Sequence, residues 1–129
     1  MAGGTVMQTL SQRRAARALE LLENITEKGE TRNEFSQFCK SFPTMILQNG
    51  LGQAIAFIKS KKDKDDKPDY KYDTMYNTLN AWLKELTLIK DDVLREINYM
   101  NAQEYLHIQM ESLKFLEWIK RYENAEIFK

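Results

Sequence analysis

Catalysis at neutral pH needs a group that titrates there, a nucleophile with a base beside it, or a set of metal ligands, and this chain offers few of these. It has one histidine, His107, and one cysteine, Cys39, far apart in sequence. A zinc site needs about four clustered ligands, and a catalytic triad needs a nucleophile, a base and a group that orients the base. Neither set can be assembled around His107, which falls within a helical pattern and reads as structural or simply exposed. Asp63, Asp65, Asp66 and Asp69 superficially suggest a cation loop, but the spacing lacks the central Gly and terminal Glu of a calcium loop, and lysines are interspersed. Asn49-Gly50-Leu51-Gly52 is not followed by Gly-Lys-Ser/Thr, so it is not a phosphate loop. No catalytic residue, metal site, cofactor or small-molecule substrate is expected.

The remaining chemistry is charge. Arg13, Arg14 and Arg17 lie on neighbouring turns of one helical stretch. Lys59, Lys61 and Lys62 close another, and Lys120 and Arg121 form a third group. Such groups grip phosphates without reading sequence, and the plainer reading of each is a solvated helix face. The 129-residue chain carries 19 basic and 19 acidic residues, so its net charge is zero. The distribution is uneven: residues 1–62 hold nine Lys/Arg against five Glu, and residues 63–129 hold ten Lys/Arg against fourteen Asp/Glu. A basic part can meet a phosphate backbone while an acidic part meets a basic protein.

The elements that carry these residues read as helices. Leu10, Ala18, Leu21, Leu22 and Ile25 predict a helix over about Thr9 to Lys28, with Gly29 as its stop. Thr31 and Glu34 match a capping box opening a second, with Phe35, Phe38, Cys39 and Phe42 as its apolar stripe. Pro43 either kinks that helix or starts a new one. A break at Asn49–Gly52 precedes a short helix, Leu51 to Ser60, with Ala54, Ile55, Phe57 and Ile58 buried by pattern. The charged stretch from Lys61 to Asp69 reads as a mobile or variable loop. Two longer helices follow, Tyr70 to Leu88 and Asn101 to Glu126, with a short one between them capped by Asp91 or Asp92. Trp82 and Trp118 lie on apolar stripes, which favours burial over base stacking. The fold class is all-α: a single compact helical bundle of five to seven helices spanning residues 1–129. The opening Met1–Thr5 lacks a charged segment followed by an apolar one, and no apolar run approaches the ~18–20 residues of a membrane span. With one cysteine, the chain is expected in the reducing cytoplasm and away from membranes.

Four stretches resemble a known family. Ser41 to Lys61, a helix reaching Pro43, the turn Asn49-Gly50-Leu51-Gly52-Gln53, then a short apolar helix ending in lysine, is similar to the signature of the small α-helical subunit of type III-B (Cmr) CRISPR effector complexes. Phe115-Leu116-Glu117-Trp118-Ile119-Lys120-Arg121-Tyr122 resembles that family's terminal helix, Arg13-Arg14-Ala15 its basic opening helix, and Tyr70 to Leu83 the helix ending in Trp-Leu. The resemblance implies a non-catalytic subunit in antiviral defence. It implies copies stacked beside the subunits that hold the CRISPR RNA, contacts with other Cmr subunits, and a basic surface lining the target-RNA channel. Contacts to the CRISPR RNA–target RNA duplex would be to its backbone, since base pairing supplies the sequence specificity. Arg13, Arg14, Arg17, Lys59 and Lys61 are the expected phosphate contacts. Gln48 and Asn49 are expected as polar contacts near the turn, with a helix-capping role for Asn49 as the alternative. The rival reading is a helical protein–protein adaptor or chaperone with no nucleic-acid role.

Overall fold

A computed structural model describes residues 7–128; the opening Met1–Thr5, read above as lacking a leader, lies outside the described residues. Six α-helices follow one another: α1 (Leu10–Glu23), α2 (Gly29–Asn49), α3 (Leu51–Ser60), α4 (Tyr70–Glu85), α5 (Val93–Glu96) and α6 (Ala102–Asn124), with a 3-10 turn at Ile97–Tyr99 before α6. The expected all-α fold is present, and among the described residues the β-type pairing amounts to an isolated bridge between Lys62 and Pro68. No helix among the described residues is long and apolar enough to cross a membrane.

Helix starts follow local chemistry. Thr9 opens α1 with a capping box: its hydroxyl accepts from Gln12 N at 3.0 Å, and the Gln12 side chain accepts from Thr9 N at 2.8 Å. Asn101 and Glu104 do the same for α6. The box expected at Thr31 and Glu34 does not form, because α2 begins earlier, at Gly29, with φ +71°. Gly29 therefore opens a helix, whereas the sequence pattern made it a stop. Asp92 is the cap of α5, accepting from Leu94 N at 3.3 Å. Pro43 lies inside α2 and is buried, and the helix continues through it.

α6 packs against α1, α2 and α4, and α2 also packs on α3 and α4. One contiguous core results, with Phe35, Phe42, Ile46, Leu51, Ile55, Trp82, Leu83, Phe115 and Leu116 fully buried. Each such side chain contributes roughly 1.5–3 kcal/mol on leaving water. Trp82 stacks on Phe115 with ring centroids 5.3 Å apart and planes within 9°, so it is unavailable to a nucleobase. Phe57, expected inside, is instead 37% exposed at the surface of α3.

The charged loop is ordered by its own first aspartate. Asp63 Oδ1 accepts from Asp65 N at 2.8 Å and Lys67 N at 3.1 Å, and Asp63 N donates to the Lys67 carbonyl at 2.7 Å. The stretch read as a mobile or variable loop turns as a tight hairpin, because an Asx side chain supplies the turn's hydrogen bonds.

Candidate nucleic-acid interface

The three arginines of α1 do not share a surface. Arg14 turns inward and forks onto Glu111 of α6, with Nε to Oε2 at 2.6 Å and NH2 to Oε1 at 2.8 Å. Trp82 Nε1 donates to the same Oε2 at 2.9 Å. Both charged side chains are nearly enclosed, at 11% and 4% exposure. Burial pushes the Glu111 carboxyl up, but the hydrogen bonds from Arg14 and Trp82 and the Arg14 charge outweigh it and leave Glu111 below the usual carboxylate range. A phosphate would have to replace a buried carboxylate to reach Arg14, so the expected phosphate role at this position gives way to a clamp between α1 and α6. Arg13 and Arg17 stay at the surface, but each faces a carboxylate of α4. Arg13 lies 3.8 Å from Glu85 Oε2, Arg17 Nε lies 3.0 Å from Glu85 Oε1, and Arg17 also pairs with Glu20.

The lysines are arranged differently. Lys59 Nζ sits 4.5 Å above the Tyr76 ring, Lys61 Nζ 4.5 Å above Phe57, and Lys71 Nζ 5.1 Å above Tyr72. Phe57 meets Tyr72 edge-on at 5.8 Å, so these two rings form a shelf between the end of α3 and the start of α4. Resting on a ring face leaves an ammonium its charge and its N–H donors. Among the described residues none of these three lysines, nor Lys62, is ion-paired to a carboxylate.

Gln48 and Asn49 lie elsewhere, at the exposed end of α2. Asn49 Nδ2 donates to the Met45 carbonyl at 3.2 Å, the local capping role expected as its alternative. Gly50 follows with φ +83°, a backbone state that L side chains resist. Its ideal Cβ would lie 3.2 Å from the Tyr105 hydroxyl. The free amides that open α3 are already used: Leu51 N donates to Gln109 Oε1 at 2.8 Å and Gly52 N to Tyr105 Oη at 2.9 Å, both from α6. The glycine turn is therefore a packing joint, with the first two N–H groups of α3 already taken by α6.

Residues 10–126 match the family model described as CRISPR-associated protein (Cas_Cmr5). The chain belongs to the Cmr5 family. A protein of Thermotoga maritima named CRISPR system Cmr subunit Cmr5 is 32% identical over 117 residues, covering 89% of this chain and 82% of the relative. Its namesake in Thermus thermophilus is 32% identical over 125 residues, covering 94% and 98%. The X-ray structure of a CRISPR-associated Cmr5 family protein, also from Thermus thermophilus, aligns with a TM-score of 0.72 at 28% identity, covering 92% of this chain and 97% of that one.

Within this Cmr5-family chain the basic residues form two patches at opposite ends of α4. From Lys71 to Glu85 the helix rises about 21 Å at 1.5 Å per residue, so the lysine shelf and the Arg13–Arg17 pair are separate features. Sequence reasoning missed Lys71, although its Tyr-Lys-Tyr setting is the signal that places an ammonium among rings. It also missed Glu85, and the Arg32–Glu123 fork at 2.7 and 2.8 Å, whose partners are 91 positions apart. His107 is exposed, beside Glu104 and Thr87. Burial pushes the Cys39 thiol well above its ordinary range, which makes it a poor nucleophile. No group of three or more His, Cys, Asp or Glu is placed to hold a metal among the described residues.

Proposed function

We propose that this chain is a non-catalytic small subunit of a type III-B Cmr RNA-guided complex in antiviral defence, working in the cytoplasm as a single helical domain. The family match over residues 10–126 carries the reading, supported by relatives named as Cmr subunits. Copies stack along the complex beside other Cmr subunits and line the channel for target RNA. Lys59, Lys61 and Lys71 hold the RNA backbone by charge alone, Gln48 adds a polar contact, and Arg13 and Arg17 take part once their carboxylates are displaced. One subunit contributes few phosphate contacts, and several adjacent copies multiply them. The exposed apolar pair Leu106 and Met110, one turn apart on α6, suits contact with another subunit.

A tagged pull-down from the native cell, with co-purifying proteins and RNAs identified, tests this. Recovery of companion Cmr subunits with short guide RNAs is expected. Recovery of unrelated proteins without guide RNA would sink the reading and leave a helical adaptor.

A further inference from the structure

We propose that Glu85 masks a second RNA-backbone site, the groove between α1 and α4, and that only a strand bringing several phosphates opens it. This rests on the RNA-lining role proposed above. The groove is lined by Gln8, Arg13, Ala16, Arg17, Glu20 and Glu85. Arg13 and Arg17 stand four residues apart on α1, so their guanidinium groups face the same side. Glu85 reaches in from the end of α4 and divides its carboxylate between them, Oε2 toward Arg13 at 3.8 Å and Oε1 toward Arg17 at 3.0 Å. Glu85 is the carboxylate the two arginines share, while Glu20 pairs with Arg17 alone, so Arg13 has no other partner among the described residues.

The mask is weakly held. The Arg13 and Glu85 side chains are 44% and 38% exposed, and ion pairs that open to water contribute about 0–1 kcal/mol. The geometry is also incomplete. Arg17 Nε is buried and, among the described residues, makes no hydrogen bond, although Glu85 lies 3.0 Å away; the pair is close but off axis, and a donor is left unspent. Once Glu85 has withdrawn, a phosphate oxygen can take its place at that donor along its axis, and guanidinium groups favour such planar pairing.

The occupant follows from what can displace Glu85. A carboxylate from a protein partner exchanges like for like and gains little. A nucleic-acid strand presents a row of phosphates and releases its condensed counterions when they are neutralised, a gain no single carboxylate offers. Glu85 thus discriminates against isolated anions and in favour of a strand. It keeps the free subunit from collecting stray RNA and yields where neighbouring contacts already hold the backbone.

The test uses the full chain and a fluorescein-labelled oligouridylate, with affinity measured at several low salt concentrations. Glu85→Gln is expected to tighten binding about three- to tenfold and to steepen the plot of log K against log salt by about 0.7–1.4, one or two added phosphates on a single strand. Glu117→Gln, the same charge change on the exposed face of α6, is expected to alter affinity less than about twofold, since among the described residues Glu117 is paired with no arginine whose charge its loss would release. Adding Arg13→Ala and Arg17→Ala to Glu85→Gln removes the gain. An unchanged affinity in Glu85→Gln overturns the proposal, as does an equal gain in Glu117→Gln or a gain that survives loss of both arginines. Stronger retention of a companion protein with RNA affinity unchanged overturns it too, in favour of an acidic protein partner. Lys59→Ala, Lys61→Ala and Lys71→Ala are titrated alongside. If they weaken binding and Glu85→Gln does nothing, the mask alone fails; if none of them shifts binding, the RNA-lining role fails with it.

Discussion

Replacing Arg14 by leucine strands the Glu111 carboxylate inside the bundle, and the consequence has a sign as well as a size. Glu111 is 4% exposed and in the wild type accepts two bonds from Arg14 and one from Trp82. Arg14→Leu leaves the Trp82 bond alone against the burial of a charge. Breaking a buried pair from one side costs about 3–5 kcal/mol, which for a domain of this length lowers the melting temperature by roughly 10–20 °C. Combining Arg14→Leu with Glu111→Leu removes both charges and leaves only the Trp82 N–H unpaired, at about 1–3 kcal/mol. The double variant should therefore melt above the single one. The pH dependence separates charge from packing. In the wild type the folded Glu111 value lies below the unfolded value of about 4.3, so its contribution is present above that pH and is lost as pH falls through the folded value. In Arg14→Leu, burial pushes the folded value above the unfolded one. Stability is then fully present below about pH 4.3 and is lost as pH rises through the raised value. Thermal unfolding followed by circular dichroism from pH 7 down to 5 should show the variant gaining stability while the wild type stays level. A loss below about 1 kcal/mol, a double variant no more stable than the single, or a variant with the wild-type pH trend would refute the clamp.

Three further outcomes follow from geometry. Lys59→Ala, Lys61→Ala and Lys71→Ala together should reduce target-RNA retention by the assembled complex and flatten its salt dependence by about 0.7 per lost phosphate contact, with no change in the melting temperature beyond about 1 kcal/mol equivalent, since the lysines are surface groups. Gly50→Ala should cost about 1–3 kcal/mol in denaturant unfolding, from the strained φ and the approach to Tyr105; an unchanged midpoint would mean the turn relaxes. Glu96 accepts from the backbone N–H groups of Lys90, Asp91 and Asp92 at 2.7, 2.8 and 2.7 Å, and these bonds hold its carboxyl below the usual range. Its contribution is present above the unfolded carboxylate value and lost as pH falls through the folded one, so Glu96→Ala should lower the amide-exchange protection of residues 90–92 at neutral pH and abolish the loss of protection expected in the wild type on acidification.

Most helices were legible because apolar residues recur at the helical period, and α3 begins and ends where the pattern put it. The misreadings share a cause: they depend on partners distant in sequence or on backbone angles. Arg14 looks like Arg13 until Glu111, 97 positions away, turns it inward. Thr31 and Glu34 satisfy a capping pattern, but α2 had already started at Gly29 through a positive φ that composition cannot announce. Phe57 fits an apolar stripe, yet it rests against Tyr72 at the surface. In the candidate interface, residue type identified the lysines, and only the three-dimensional arrangement showed which cations are free and which are held by Glu85.

Both buried carboxylates that anchor the first half of the chain, Glu111 and Glu123, reside on α6, which is made after the other described helices. During synthesis Arg14 and Arg32 wait without their partners, and Trp82 without its stacking ring, until more than a hundred residues have left the ribosome. At about 5–20 residues per second that interval lasts several seconds, during which the apolar faces of α1, α2 and α4 stay open. The bundle is therefore completed only once α6 has emerged, and any truncation that removes α6 leaves a chain that holdase chaperones bind and proteases cut.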